Sequence, residues 1–140
     1  MSAQSLGKDH KKEFESLVLE FYDEVFMKRN VSICNILMAE NYINHSTFVN
    51  SGRENFKEYF TKVFKTFYKT GTKVEKIFID DDLACLYATH WASNRILKLK
   101  FKTIDIYRIE DGLLSEHWDC LEGLGMLSKI IFTAKSILRL

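Results

Sequence analysis

The sequence predicts an α+β domain, on three observations. Apolar residues recur at helical spacing through the first half of the chain, alternation takes over after Thr72, and helical spacing returns only beyond Gly123. Phe14, Leu17, Val18, Phe21, Tyr22, Val25 and Phe26 step by three and four, with charged residues between them, and predict a first helix over about residues 10–29. Ile33, Ile36 and Leu37 predict a second, brief helix with Ser32 as its N-cap. The stretch from Asn41 to Gly52 is rich in Asn, Ser and Gly and reads as a loop carrying His45. Phe56, Tyr59, Phe60, Val63, Phe64 and Phe67 then predict a third helix, ended by Gly71.

Four strands follow. Val74–Ile79, Leu83–Trp91, Ile96–Ile109 and Leu113–Leu121 alternate apolar and polar residues and are separated by short polar breaks, as in an antiparallel meander. Glu110-Asp111-Gly112 is the clearest hairpin signal, because Gly adopts the positive φ that such a turn requires. Beyond Gly123, Leu127, Ile130, Ile131, Ala134, Ile137 and Leu138 predict a C-terminal amphipathic helix over 123–140. Such a helix can pack on the sheet, on a partner subunit or, through Lys129, Lys135 and Arg139, on a membrane surface.

The whole chain of 140 residues is expected to form a single domain with its core over about 10–122. Eleven Phe and six Tyr supply a core or the wall of a pocket. A formal charge of +1 with interspersed signs argues against nucleic acid as a partner. No apolar run approaches the roughly 18–20 residues of a membrane span, and the opening MSAQSLGKDH lacks the apolar centre of a secretion signal. A soluble, cytoplasmic protein is the expectation. Cys34, Cys85 and Cys120 are odd in number and widely spaced, which fits buried thiols and neither a disulfide framework nor a CxxC site.

Side-chain facing turns these elements into a candidate site. Lys98, Lys100 and Lys102 mark the solvent face of one strand, so Leu97, Leu99 and Phe101 point inward, and the same parity carries Thr103, Asp105 and Tyr107 inside. Closing the hairpin at Ile109 and Leu113 sets Asp105 opposite His117 and Thr103 opposite Asp119, with Cβ atoms roughly 4.5–5.5 Å apart. Three ionisable groups on an apolar inner face imply either a closed network or a polar cavity open to a ligand. The outer face then carries Ile104, Ile106, Leu114, Trp118 and Cys120, an apolar patch suited to a homodimer packed sheet on sheet. Each residue keeps an ordinary structural alternative: a solvated His45, a buried Asp105–His117 pair, and an Asp119 that caps a backbone amide. His45, Asp105, His117 and Asp119 are metal-ligand types, but their spacing matches no metal motif, and no phosphate loop, nucleophile elbow or HExxH is present.

The segments FYDEVFMKRN, YINHSTFVNSGRENFKEYF and IDIYRIEDGLLSEHWDCLE resemble the SnoaL-like polyketide cyclases of the NTF2-like superfamily, over most of residues 15–122. The resemblance implies a cone-shaped α+β barrel, with three N-terminal helices packed on a curved mixed or antiparallel sheet around a pocket. It implies aldol-type ring closure by an acid/base aspartate, with neither metal nor cofactor. By motif match that aspartate is Asp119, with Asp105 and His45 lining the same pocket. His117 is an adjacent donor, and Tyr22, Tyr87, Phe101, Thr103 and Tyr107 are candidate substrate contacts. Tyr87 stands where the family often has histidine; placed opposite Thr103 it faces inward, which leaves His90 outside. His45-Ser46-Thr47 replaces a frequent His-Asn-Pro, and Glu122 a frequent Gln. The expected function is a small acid/base enzyme of cyclase, isomerase or hydratase type acting on a hydrophobic carbonyl compound. The competing expectation is a non-catalytic protein that binds a small ligand or a partner chain in the same fold.

Overall fold

Helix α1 (Ala3–Tyr22) opens the chain, and the computed structural model describes residues 3–123. The predicted C-terminal helix lies outside the described residues. At its end α1 widens into a π-turn (Asp23–Met27), in which Lys28 N–H reaches back to the Asp23 carbonyl at 2.9 Å. Arg29 then takes a left-handed φ of 62°, a conformation costly for a side chain. Its guanidinium offsets that by donating to the carbonyls of Phe64 and, at 2.6 Å, Tyr68.

A 3₁₀ turn (Val31–Ile33) leads into α2 (Cys34–Leu37). Asn30 holds the N-cap position of the 3₁₀ turn and Ile33 that of α2, so Ser32 caps neither; its hydroxyl donates to the Asn30 side chain. Next comes β1 (Met38–Asn44), whose last four residues run into the stretch that the sequence predicts as a loop, and then α3 (Arg53–Thr66). The long strands are β2 (Lys69–Asp80), β3 (Leu83–Ser93), β4 (Lys98–Glu110) and β5 (Leu113–Glu122). Gly71 does not end α3. It lies within β2 opposite Trp91, where a Cβ would stand 2.2 Å from the indole ring.

The three helices cover one curved five-stranded sheet of order β1-β5-β4-β3-β2, antiparallel except for the β1–β5 pair. The core lies between helices and sheet. Val18, Phe21 and Tyr22 of α1 meet Ala84, Leu86 and Ala88 of β3, and the two alanines leave room for the aromatic rings. Phe56 of α3 and Met38 and Tyr42 of β1 complete the cluster.

Two details of register decide which side chains reach this interior. Asp111 and Gly112, both at positive φ, make a two-residue turn that pairs Glu110 with Leu113. One bulge later, at Ser115, the pairing becomes Arg108 with Glu116. Asp105 therefore lies opposite Asp119 and Tyr107 opposite His117, two residues from the expected register. A two-residue shift preserves facing, so Thr103, Asp105, Tyr107 and His117 are buried as the lysine parity requires. The bulge corrects one outer-face assignment: Leu114 is fully buried in the core.

The second detail is the β3–β4 turn. Asn94 accepts the Ile96 and Leu97 N–H groups on its side-chain oxygen and donates its own N–H to the Leu97 carbonyl. That turn pairs Ser93 with Lys98, and therefore Ala88 with Thr103 and Tyr87 with Ile104. The true register differs by one residue from the expected one, and a one-residue slip reverses every side chain. His90 is inside, and Tyr87 is on the outer face with Lys102 over its ring.

Candidate functional site

The interior faces of β1, β4 and β5 converge on Asp105 and His117, whose side chains are only 7% and 8% exposed. His117 Nε2 lies 2.8 Å from Asp105 Oδ1. On the other carboxylate oxygen, the Thr103 hydroxyl donates to Asp105 Oδ2 at 2.5 Å, and His90 Nε2–H donates to Thr103 Oγ1 at 2.9 Å. Tyr22 adds a third donor to Asp105, and its own hydroxyl lies 3.4 Å from that of Tyr107. Burial alone would raise the Asp105 carboxyl; the His117 hydrogen bond and charge, with Thr103 and Tyr22, outweigh it and hold the carboxyl below its ordinary range.

Asp119, directly across from Asp105, has the opposite character. It is half-buried, and burial with the Asp105 charge pushes its carboxyl up against the counteracting charge of His117 and a hydrogen bond with the Ser46 side chain. Burial lowers the pKa of His90, which stacks on Phe101 at 5.2 Å between ring centres. Burial likewise raises Tyr22, Tyr42 and Tyr107 well above the ordinary phenol value, so each stays protonated and able to donate.

Of the residues expected at the site, Asp105, His117, Asp119, Thr103, Tyr22 and Tyr107 come together, and Phe101 joins them through His90. His45 and Tyr87 do not. His45, the residue after the inward Asn44, donates its N–H to the His117 carbonyl at 2.9 Å, and its ring lies on the outer face, stacks on Trp118 at 5.0 Å and donates to Glu116 Oε1 at 2.8 Å. Tyr87 lines a separate open groove of about 450 Å³ with Lys100, Lys102 and Glu122.

Three further residues belong to the site, and sequence reasoning missed them. Asn44 Oδ1 lies 3.0 Å from His117 Nδ1; His90 enters from β3, on the face opposite to the one the sequence predicts; and Tyr42 stacks on His117 with its hydroxyl buried and without a hydrogen-bond partner among the described residues. Tyr42 and Asn44 alternate with the exposed Ile43, a strand pattern that the Asn- and Ser-rich composition around it masks.

Asp105, His117 and Asp119 each offer a ligand atom, all within 4.8 Å of one another. A cation among them would have to displace the His117–Asp105 bond, since both ring nitrogens of His117 are already engaged. The arrangement instead suits proton transfer: a buried, hydrogen-bonded aspartate–histidine pair, a carboxyl of raised pKa beside it, and a phenol without a partner among the described residues.

Comparison with known proteins agrees with this architecture. The sequence profile of the SnoaL-like polyketide cyclases matches residues 16–130. Among solved structures, TsrD from Streptomyces laurentii superposes with a TM-score of 0.71 at 18% identity, covering 85% of this chain and 95% of that one. A candidate polyketide cyclase from Acidithiobacillus ferrooxidans gives 0.72 at 15% identity, covering 85% and 94%. AclR, a candidate hydroxylase from Streptomyces galilaeus, gives 0.71 at 17% identity, covering 87% of each chain. At these identities the likeness is one of fold. No curated protein sequence matches the chain. No helix among the described residues is long and apolar enough to cross a membrane.

Proposed function

Because the chain belongs to the SnoaL-like polyketide cyclase family, we propose that it is an acid/base enzyme of cyclase, isomerase or hydratase type, acting on a hydrophobic carbonyl compound with Asp119 as general base. The observation that carries this reading is the contrast between two facing carboxyls. Asp105 is saturated by donors and held ionised, whereas Asp119 is half-buried with its pKa raised toward the range in which a base both accepts and returns a proton.

In the proposed reaction Asp119 takes a proton from the carbon next to a carbonyl. The C–H pair moves into the enolate, whose oxygen receives a hydrogen bond from the Tyr42 hydroxyl. The enolate carbon then attacks a second carbonyl of the same molecule, forming a C–C bond, and Asp119 returns its proton to the new alkoxide. No electrons leave the substrate, so the sequence balances without an external oxidant or reductant. Tyr22, Thr103, Tyr107 and Phe101, with His90, form the wall against which the substrate packs.

Hydrogen–deuterium exchange at the acidic carbon of a panel of aromatic 1,3-diketones, followed by NMR in D₂O, tests the reading. The wild type is expected to accelerate exchange, and Asp119→Asn to lose about 10²–10⁴-fold of the rate while still shifting the resonances of bound ligand. Equal rates for the two proteins would overturn the assignment of Asp119. Binding without exchange by the wild type would favour the non-catalytic alternative.

A further inference from the structure

Asn44 stands at the end of β1 with its main chain and side chain both tied down. Its N–H donates to Ser51 Oγ at 2.9 Å, and its side-chain oxygen accepts the Ser46 N–H at 3.0 Å, an Asx turn. A peptide N–H is only ever a donor, so the atom it meets must be the amide oxygen. That settles the orientation of the amide, and with it the chemistry of the neighbouring ring. His117 Nδ1 lies 3.0 Å from the same oxygen and must carry a hydrogen to bond it. The opposite nitrogen, Nε2, faces Oδ1 of Asp105, a carboxylate that already receives hydrogens from Thr103, on Oδ2, and from Tyr22.

We propose that Asn44 is a positioning residue that holds His117 as a hydrogen-bond donor at both ring nitrogens, making the histidine a fixed charge beside Asp119 and not a base. The groups that face His117 are compatible with a cationic ring from each side. Asp105 neutralises it, Tyr107 and Tyr42 stack on it at 4.5 and 6.4 Å between centres, and Asp119 lies near it on its own strand. Tyr22 of α1 and His90 of β3 act only through Asp105 and Thr103. The ring keeps no free lone pair, so proton removal falls to Asp119 alone; that catalytic consequence rests on the general-base reading above, while the state of the ring does not.

The test is a long-range ¹H–¹⁵N spectrum of histidine-labelled protein, with His117 assigned by its loss in His117→Gln. In the wild type, Nδ1 of His117 is expected in the hydrogen-bearing range. Asn44→Ala should return Nδ1 to the bare range, and Asn44→Asp, which keeps the oxygen, should retain the wild-type pattern. A bare Nδ1 in the wild type overturns the proposal whether or not any variant folds, as does an unchanged spectrum in folded Asn44→Ala. Where exchange activity is present, Asn44→Ala should also move its pH profile upward, because the His117 charge no longer lowers the Asp119 pKa; a structural role alone would leave the profile in place. The spectrum does not depend on turnover, so failure of the catalytic reading would leave this result standing.

Discussion

Replacing Asp105 by Asn probes the centre of the site while keeping its shape. Both carboxylate oxygens are in use, Oδ1 by His117 and Oδ2 by Thr103. An amide must therefore present its NH₂ to one of two donors, and His117 loses its counter-charge in a place where the pair is 7–8% exposed. Breaking a buried ion pair from one side costs about 3–5 kcal/mol. With an unfolding entropy of about 2.1 cal/mol/K per residue over 140 residues, that corresponds to a fall in Tm of roughly 10–17 °C. The pH dependence has a definite sign. The folded-state pKa of Asp105 is depressed, so its stabilisation is fully present above the unfolded value of about 3.9 and is lost as pH falls through the lower folded value. Urea titrations of both proteins from pH 7 to pH 2 should show a gap that is constant above about pH 5 and narrows below about pH 4. Asp119→Asn should behave oppositely. The Asp119 pKa is raised in the fold, so the wild type loses stability as pH rises through that value, and the variant gains on it toward neutrality. An Asp105→Asn protein within about 1 kcal/mol of wild type at pH 7, well under the penalty of a broken buried pair, or a gap that does not change with acid, would refute the ion-pair argument.

The remaining predictions concern packing, the outer face and the thiols. Gly71→Ala forces the Trp91 ring aside and should cost about 1–3 kcal/mol as an overpacking substitution, with a red shift of Trp91 emission in a Trp118→Phe background. Homodimerisation through the outer sheet face, at Ile104, Ile106 and Trp118, predicts that Ile104→Glu, at a site 49% exposed in the single chain, converts a dimer to a monomer in sedimentation velocity; a monomeric wild type would end that proposal. Burial pushes the Cys34 thiol up to about 12, whereas Cys120 is exposed, so a thiol reagent at pH 8 should label Cys120 in the native protein and reach Cys34 only after unfolding.

Much of this molecule is written in local pattern. The spacing of Phe14 to Phe26 and of Phe56 to Phe64 determined two helices, because an amphipathic stripe has one low-energy way to bury itself. Lysines 98, 100 and 102 determined that Thr103, Asp105 and Tyr107 face inward, because a strand alternates strictly. His117 was legible for the same reason, since the register error in that hairpin was an even number of residues. What the sequence left open depended on pairing across long separations. The Asn94 turn decided by a single residue that His90 and not Tyr87 enters the site, and the Ser115 bulge decided that Leu114 and His117 share a face. The brief alternation at Asn41–Asn44 is too short to declare a strand against its Asn- and Ser-rich surroundings, because β1 gains its ladder only by lying parallel to β5, some seventy residues away along the chain. That pairing brings Asn44 and Tyr42 to His117 and turns His45 out onto Trp118, so the tertiary structure, through the register of its sheet, decided which polar residues belong to the site.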